Sequence, residues 1–244
     1  MNESVIQVRG LRVRFGNKVV LDGVDLDVPR GSVTALVGRN GAGKSTLLRV
    51  LVGALEPNGG RTVVLGVDPA HEGARARSLV GYVPDQIEVP AWMRGRDWLA
   101  FVRNFYPGWN MKGQERWIDL LELDAETKVA EMSKGARTKL ALVSALAHAP
   151  RVLLLDEPFS GLDTAARHAI TTAVLTSLRD ESRTVLLVSH SIPDVERLAD
   201  RVAVLSDGRI ESFGDIEDLA RSERGGIDLD ALLLAGSTVG VDGL

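Results

Sequence analysis

Short runs of hydrophobic residues recur along the chain and predict the strands of a buried sheet. Four of these runs occupy residues 33–37, 79–83, 152–155 and 184–188. Strands that are covered on both faces read as nearly continuous apolar runs, which is typical of parallel sheets with helices on both sides. We therefore predict an α/β fold with a mixed or parallel sheet at its core.

The first thirty residues follow a different pattern, in which apolar and polar positions alternate. This alternation predicts short strands at residues 4–9, 11–15, 19–21 and 24–28, with a hairpin turn at Asn17-Lys18. Because residues 24–28 alternate apolar with acidic side chains, we expect them to form an edge strand. The sequence thus predicts an antiparallel β-subdomain at the N-terminus.

Residues 85–149 change to helical spacing and contain all 4 tryptophans of the chain. Trp98 and Phe105, two turns apart, belong to one predicted apolar helix face. We interpret this stretch as a helical subdomain that is inserted between two halves of the sheet. Trp92 and Trp109 are flanked by prolines, and we predict that they lie at the surface as contacts for a partner.

These patterns divide the chain into three parts. Residues 1–84 and 150–224 are predicted to form one core domain, and residues 85–149 the inserted helical subdomain. Residues 225–244 form a short mixed tail, whose leucines favour either a docked terminal helix or contact with a second copy.

The composition excludes several classes of protein. The chain has 244 residues, a net charge of −4 and no cysteine, so neither a disulfide framework nor a thiolate metal site is possible. The mild acidity argues against nucleic-acid binding, and no nucleic-acid partner is expected. The polar start of the chain and the lack of an apolar stretch near about 20 residues predict a cytoplasmic protein without a secretory signal or a spanning helix.

Residues 38–46, Gly-Arg-Asn-Gly-Ala-Gly-Lys-Ser-Thr, are the strongest chemical signal in the chain. They follow a predicted strand and open into a predicted helix, so their N–H groups and the helix N-terminus would face a phosphate chain. In this pattern Lys44 holds the β- and γ-phosphates and the Ser45 hydroxyl binds Mg²⁺. The predicted nucleotide-binding residues of this phosphate loop are Gly38, Asn40, Gly41, Gly43, Lys44, Ser45 and Thr46.

Two acidic residues end the most apolar strand. Asp156 and Glu157 follow residues 152–155, and the carboxyl ends of strands are where α/β proteins bind ligands. We predict that Asp156 reaches the Mg²⁺ and that Glu157 orients or deprotonates an attacking water. His190 ends the next predicted strand, where it would lie near the γ-phosphate.

Phe15 lies at the end of a predicted strand, shortly before the phosphate loop. An aromatic ring at this place is able to stack on an adenine, but a single phenylalanine is also an ordinary core residue. The residues alone leave both interpretations open.

Taken together, these motifs resemble the ATP-binding subunits of ABC transporters over nearly the whole chain, to about residue 220. The acidic pair, Asp163 within Ser-Gly-Leu-Asp, and His190 stand in the order and spacing of that family. Residues 85–109 look most like the ATPases of bacterial ABC-2-type exporters. The resemblance implies a P-loop NTPase fold of the ABC type, ATP and Mg²⁺ as cofactors, and adenine stacking on Phe15.

Residues 132–137, Met-Ser-Lys-Gly-Ala-Arg, resemble the signature of this family but depart from it at three positions. Lys134 replaces a glycine, while Ser133 and Gly135 remain and would form a second anion site at a helix N-terminus. The family also has a glutamine after the strand at residues 79–83. Its spacing points to Asp85, but Gln86 is the glutamine in place, and we assign Gln86 to the metal.

The resemblance implies a head-to-tail pair of ATPase subunits, of one or two kinds, in which each ATP lies between one phosphate loop and the other copy's signature. Asp163 would lie at this interface. Residues 85–109 would form the groove that accepts a helix of an integral membrane permease, so the protein would be peripheral on the inner face of the membrane.

Two other functions compete with transport. A soluble ABC ATPase would act on ribosomes, DNA or cluster assembly, but such proteins usually carry a second domain or long coiled coils. A P-loop kinase would not need Ser133 or His190.

Overall fold

A six-stranded sheet forms the centre of the computed structural model, which describes residues 3–181 and 183–217. Its strands lie in the order β5-β6-β7-β3-β8-β9, and all neighbours are parallel except the final antiparallel pair. The mixed sheet predicted from the apolar runs is confirmed. Its strands are β3 (Val33–Val37), β5 (Val80–Val83), β6 (Val152–Asp156), β7 (Thr184–Val188), β8 (Arg201–Ser206) and β9 (Arg209–Asp215).

A second, antiparallel sheet is built from β1 (Ser4–Phe15), β2 (Lys18–Pro29) and β4 (Gly59–Val64) in the order β2-β1-β4. The predicted β-subdomain and its edge strand are confirmed, but the predicted breaks within the two long strands are wrong. Gly10 and Gly23 have φ angles of +55° and +80°, and the pairing changes register beside each of them. Each glycine therefore bends a continuous strand instead of ending it.

The helices cover both faces of the central sheet and divide the core into two clusters. Alternate residues of β3 face opposite sides: Val33, Ala35 and Val37 pack in one cluster, and Leu36 in the other. The helices are α1 (Lys44–Leu51), α2 (Gly73–Leu79), α3 (Gly95–Arg103), α4 (Met111–Leu120), α5 (Lys134–Leu146), α6 (Thr164–Glu181) and α7 (Ile192–Leu198), with a 3₁₀ turn at Val129–Glu131.

Three of these helices, α3 to α5, occupy the predicted helical stretch. Trp92 is 76% exposed, in agreement with a surface position. The surface prediction for Trp109 is wrong, because its ring is half-buried against the core and its Nε1 donates a hydrogen bond to Gln114 Oε1 at 2.9 Å. Both tryptophans have a proline nearby in the sequence, so the local residue pattern does not distinguish the half-buried ring from the exposed one.

His148, at the end of α5, fixes the helical part of the chain to the sheet. Its ring stacks on Tyr106 with centroids 4.1 Å apart, and its Nε2 lies 3.3 Å from the carbonyl oxygen of Val80 on β5. Burial lowers the pKa of His148 to about 4, so the imidazole is neutral near pH 7. The contact is therefore a packing contact between α5, the α3–α4 connection and the sheet.

The predictions for the C-terminal tail and for a membrane-spanning helix depend on which residues the structure describes. The tail at residues 225–244 lies outside them. Within them, no helix has the length and apolar character that a bilayer span requires.

Candidate functional site

The phosphate loop connects β3 to α1, and two of its glycines are required by their surroundings. Gly38 has φ +153°, and a Cβ built there would lie 2.1 Å from the carbonyl oxygen of Leu205. Gly43, at the N-cap of α1, has φ +107°, and its Cβ would lie 2.6 Å from Leu21 Cδ2. Because both positions are strained and crowded for any side chain, only glycine lets the loop pass so close to β8 and β2.

Lys44 is the first residue of α1 and only 6% exposed. Its Nζ donates hydrogen bonds to the carbonyl oxygens of Gly38 at 2.7 Å and Arg39 at 2.9 Å. Burial lowers the pKa of Lys44, and the carboxylates of Glu157 and Asp156 act in the opposite direction. The loop thus holds the ammonium in place, with two of its three N–H groups bound to protein carbonyls.

A cavity of about 320 Å³ lies beside this loop, a volume within the usual range for small-ligand sites. The carboxyl ends of β3, β5, β6 and β7 meet here, since these strands are parallel neighbours. The lining residues are Lys18, Val20, Asn40, Gly41, Gly43, Lys44, Ser45, Thr46, Asp85, Asp156, Glu157 and Val188.

Four residues predicted for this part of the site do not line the cavity: Phe15, Gly38, Gln86 and His190. Phe15 lies half-exposed at the end of β1, and Gln86 is exposed, while its neighbour Asp85 is a lining residue. Lys18 and Val20, which sequence reasoning did not assign to the site, come from β2. Their place depends on how the antiparallel sheet packs on the loop, which no local motif reveals.

Asp156 carries an unpaired oxygen in the interior. The residue is 3% exposed at the end of β6, and its Oδ1 has no hydrogen-bond partner among the described residues. Burial raises the pKa of Asp156, and a hydrogen bond from Ser45 opposes that shift. A carboxylate oxygen left open beside a hydroxyl is the donor set that Mg²⁺ uses when nucleotide phosphates and water supply its other ligands.

Glu157 and His190 are in direct contact. His190 Nδ1 lies 2.7 Å from Glu157 Oε2, although helix α6 and strand β7 separate the two residues along the chain. Glu157 has φ +50°, a left-handed conformation, and its N–H donates to the carbonyl oxygen of Val188 at 3.0 Å. The structure therefore pairs a carboxylate that lines the cavity with an imidazole, an arrangement suited to proton transfer from a bound water.

The second predicted anion site lies at the start of α5. Ser133 is the N-cap, and its Oγ accepts a hydrogen bond from the Ala136 N–H at 3.1 Å. Gly135 is buried, and a Cβ there would lie 2.8 Å from Ala166 Cβ on α6. The glycine therefore lets the two helix starts approach each other closely.

Asp163 lies in the same region, where its Oδ1 accepts the Ala166 N–H at 2.7 Å and caps α6. Ser133 and Asp163 line a second cavity of about 290 Å³, and no residue lines both cavities. An ion pair joins a residue beside the second cavity to one that lines the first: Lys134 Nζ lies 3.8 Å from Asp85 Oδ1. One chain therefore presents two separate candidate phosphate sites.

The described residues contain no cluster of side chains that could bind a metal ion by itself. Within residues 3–181 and 183–217, no group of three or more His, Cys, Asp or Glu side chains is arranged to hold a metal ion.

Comparison with known proteins identifies the family. The ABC transporter family model matches residues 21–160. The daunorubicin resistance ATP-binding protein DrrA3 of Streptomyces coeruleorubidus is 35% identical over 98% of this chain and 77% of its own. A solved ATP-binding subunit of an ABC transporter superposes with a TM-score of 0.85 at 28% identity, over 96% of this chain and 100% of the other.

An ATP-binding cassette solved as a dimer in a post-hydrolysis state with ADP and Pi has a TM-score of 0.77, with 21% identity over 86% of this chain and 98% of the other. At this identity the match shows a shared fold. The family model and the relative DrrA3 also show membership of the family. The chain belongs to the ABC transporter family and is one of its ATP-hydrolysing subunits.

Proposed function

We propose that two subunits close head to tail around ATP and Mg²⁺ and use hydrolysis to drive a separate integral membrane permease. The single observation that carries this proposal is the separation of Lys44 and Ser133 into two cavities of one chain. Because the two cavities share no lining residue, we do not expect one triphosphate to contact both in the same copy. A two-fold arrangement that exchanges the same surfaces brings them together across the interface.

In this proposal the phosphate loop binds the triphosphate. Gly41, Gly43 and Lys44 line the cavity, where the loop N–H groups and the ammonium would bind the phosphates, and the start of α1 adds its positive end. The half-exposed Phe15 ring stacks on the adenine. Ser133 and Gly135 of the second copy close over the γ-phosphate, and Asp163 lies at the interface.

The open Oδ1 of Asp156 and the Ser45 hydroxyl would hold Mg²⁺. When bound, the ion neutralises charge on the phosphate oxygens. The cavity lining does not support the predicted metal contact at Gln86, because it contains Asp85 instead. We therefore favour Asp85 as the residue after β5 that faces the metal or the attacking water.

Hydrolysis in this proposal depends on Glu157, which orients or deprotonates the attacking water. Its contact with His190 at 2.7 Å supports this role, because it would hold the carboxylate in one orientation. The imidazole would then act near the γ-phosphate. Loss of that phosphate would remove the link between the two copies, and the pair would open.

The permease would contact the helical part, residues 85–149, as a subdomain distinct from the core formed by residues 1–84 and 150–224. Exposed rings favour this surface: Trp92, Phe101 and Phe105 are all large apolar side chains in contact with solvent. A subunit docked in this way would sit on the cytoplasmic face of the membrane.

Replacing Ser133 by Arg tests the division of labour between the copies. A long cation in place of the hydroxyl would block the neighbour's γ-phosphate, so we expect hydrolysis to fall by about 10²-fold or more, as for loss of a transition-state donor. ATP binding to the monomer should remain within about 2-fold, because Ser133 is outside the cavity of its own phosphate loop. The measurements are phosphate release and fluorescent-nucleotide binding.

The matched control is Ser78→Arg, at another exposed serine on a helix. It should retain the parent rate. Loss of ATP binding in the Ser133→Arg monomer would contradict the proposal, and so would hydrolysis at the parent rate.

A further inference from the structure

Arg167 on α6 makes a close ion pair with Asp194 in the first turn of α7. Arg167 Nη1 donates to both carboxylate oxygens of Asp194, at 2.7 and 2.6 Å, and the Asp194 side chain is only 9% exposed. A hydrogen-bonded pair with one partner buried is stronger and more directional than a surface ion pair. Neither residue lines the nucleotide cavity.

The same guanidinium reaches the segment that carries Glu157. Arg167 Nη2 donates to the carbonyl oxygen of Phe159 at 3.2 Å, two residues after the proposed base. Phe159 is buried in the main core, so this carbonyl is fixed to the sheet. Arg167 thus bonds to the chain after Glu157 and, through Asp194, to the chain after His190.

Three contacts therefore close a ring that includes the proposed catalytic pair. Glu157 and His190 join the two segments by their side chains at one end, at 2.7 Å. Arg167 joins the same two segments at the other end, through Phe159 and Asp194. Because the two segments are joined at both ends, the distance between them is fixed.

Glu157 needs support of this kind because its backbone is in an unfavourable conformation. A left-handed φ of +50° is unfavourable for a residue with a side chain and persists only where neighbours hold it. The Glu157 N–H bond to Val188 supports one side of this residue, and the Ser160 N–H bond to the Glu157 carbonyl at 3.2 Å continues the turn toward Phe159.

We propose that Arg167 is a positioning residue for hydrolysis, which holds the Glu157 carboxylate and His190 at working distance through Phe159 and Asp194. This inference rests on the proposed role of Glu157. It goes beyond that role because it assigns a function to a pair outside the nucleotide cavity. It also predicts that ATP binding and hydrolysis respond differently when the pair is broken.

The test is Arg167→Gln, measured as kcat for phosphate release and as ATP affinity by titration. We expect kcat to fall by about 10- to 100-fold, the range for a misplaced catalytic group, while ATP affinity changes by less than about 2-fold. Arg167→Lys keeps the charge without the planar fork, so its kcat should lie between those of the parent protein and Arg167→Gln. If Arg167→Gln does not fold, Asp194→Asn removes the same ion pair with little change in shape and is measured instead.

The decisive readout is the same substitution in a Glu157→Gln background. A residue that acts through Glu157 should have no further effect there, so the residual rate should stay within about 2-fold. A full additional loss in that background would overturn the inference, because it would show a general structural defect. An unchanged kcat of Arg167→Gln in the parent protein would overturn it as well.

The matched control is Arg201→Gln, at an Arg–Asp pair of similar arginine exposure on the amino-terminal side of β8, and it should keep the parent kcat. The two proposals fail in different ways. If Glu157→Gln hydrolyses ATP like the parent, the proposed base is wrong. If Glu157→Gln is slow and Arg167→Gln is not, only the positioning role is wrong.

Discussion

Replacing Glu157 by Gln is expected to slow ATP hydrolysis by about 10²- to 10⁴-fold, the contribution of a general base, while ATP binding persists. Glutamine has the shape of glutamate and is able to keep the 2.7 Å contact with His190 Nδ1, but it does not accept the proton of the attacking water. Because the γ-phosphate stays in place, the closed pair of subunits should accumulate. Phosphate release and light scattering with ATP and Mg²⁺ measure the two effects.

Glu115→Gln, at an exposed glutamate on α4, is the matched control and should hydrolyse ATP at the parent rate without accumulating dimer. A Glu157→Gln protein that stays monomeric with ATP and Mg²⁺ would contradict the closed pair. Hydrolysis at the parent rate would contradict the assignment of the base.

Replacing Lys44 by Ala is expected to abolish measurable turnover by weakening ATP binding itself. A charge-assisted hydrogen bond contributes roughly 1.5–3 kcal/mol, so the loss of the ammonium corresponds to about 10- to 100-fold in affinity before any effect on the transition state. The substitution also removes the two bonds by which Nζ holds the carbonyls of Gly38 and Arg39. Titration with a fluorescent ATP analogue gives the affinity directly.

Lys112→Ala, at an exposed lysine on α4, should bind ATP like the parent. If Lys44→Ala hydrolyses ATP at the parent rate, residues 38–46 are not the phosphate loop. The two substitutions separate binding from chemistry: Lys44→Ala should bind ATP more weakly, whereas Glu157→Gln should bind ATP and hydrolyse it slowly.

The central sheet was predictable because its strands are buried on both faces and therefore appear as apolar runs. The phosphate loop was predictable for a related reason: Gly38 and Gly43 are demanded by close contacts with Leu205 and Leu21, so the pattern is visible in the residue types themselves. In both cases the local sequence carries the physical constraint.

Other features depend on contacts between segments that are distant in the chain, and the local sequence does not predict them. Gly10 and Gly23 look like strand ends in the sequence, but the pairing of β1 with β2 continues past both. The sequence predicts that Trp109 is exposed like Trp92, whereas in the fold its ring is half-buried and hydrogen-bonded to Gln114. The contact of Arg167 with Asp194 joins residues 27 positions apart, and no spacing rule for one helix or strand connects them.

The candidate site shows the same division. Asp156 and Glu157 were assigned from one strand end, and the structure places both at the cavity. Asp85 and Gln86 are adjacent in sequence, and only the folded chain separates a lining residue from an exposed one. The place of a side chain after a strand depends on the path of the loop, which the residue types there do not determine.

The central claim, that each ATP is shared between two copies, is tested most directly by mixing two inactive variants. In a mixed pair of Lys44→Ala and Ser133→Arg subunits, the Ser133→Arg copy keeps its phosphate loop and the Lys44→Ala copy keeps its signature, so one complete site forms across the interface. The account predicts that ATP hydrolysis, absent from each variant alone, returns on mixing. If the mixture stays as inactive as its components, with mixed pairs confirmed by pull-down of one tagged copy, the shared site does not exist.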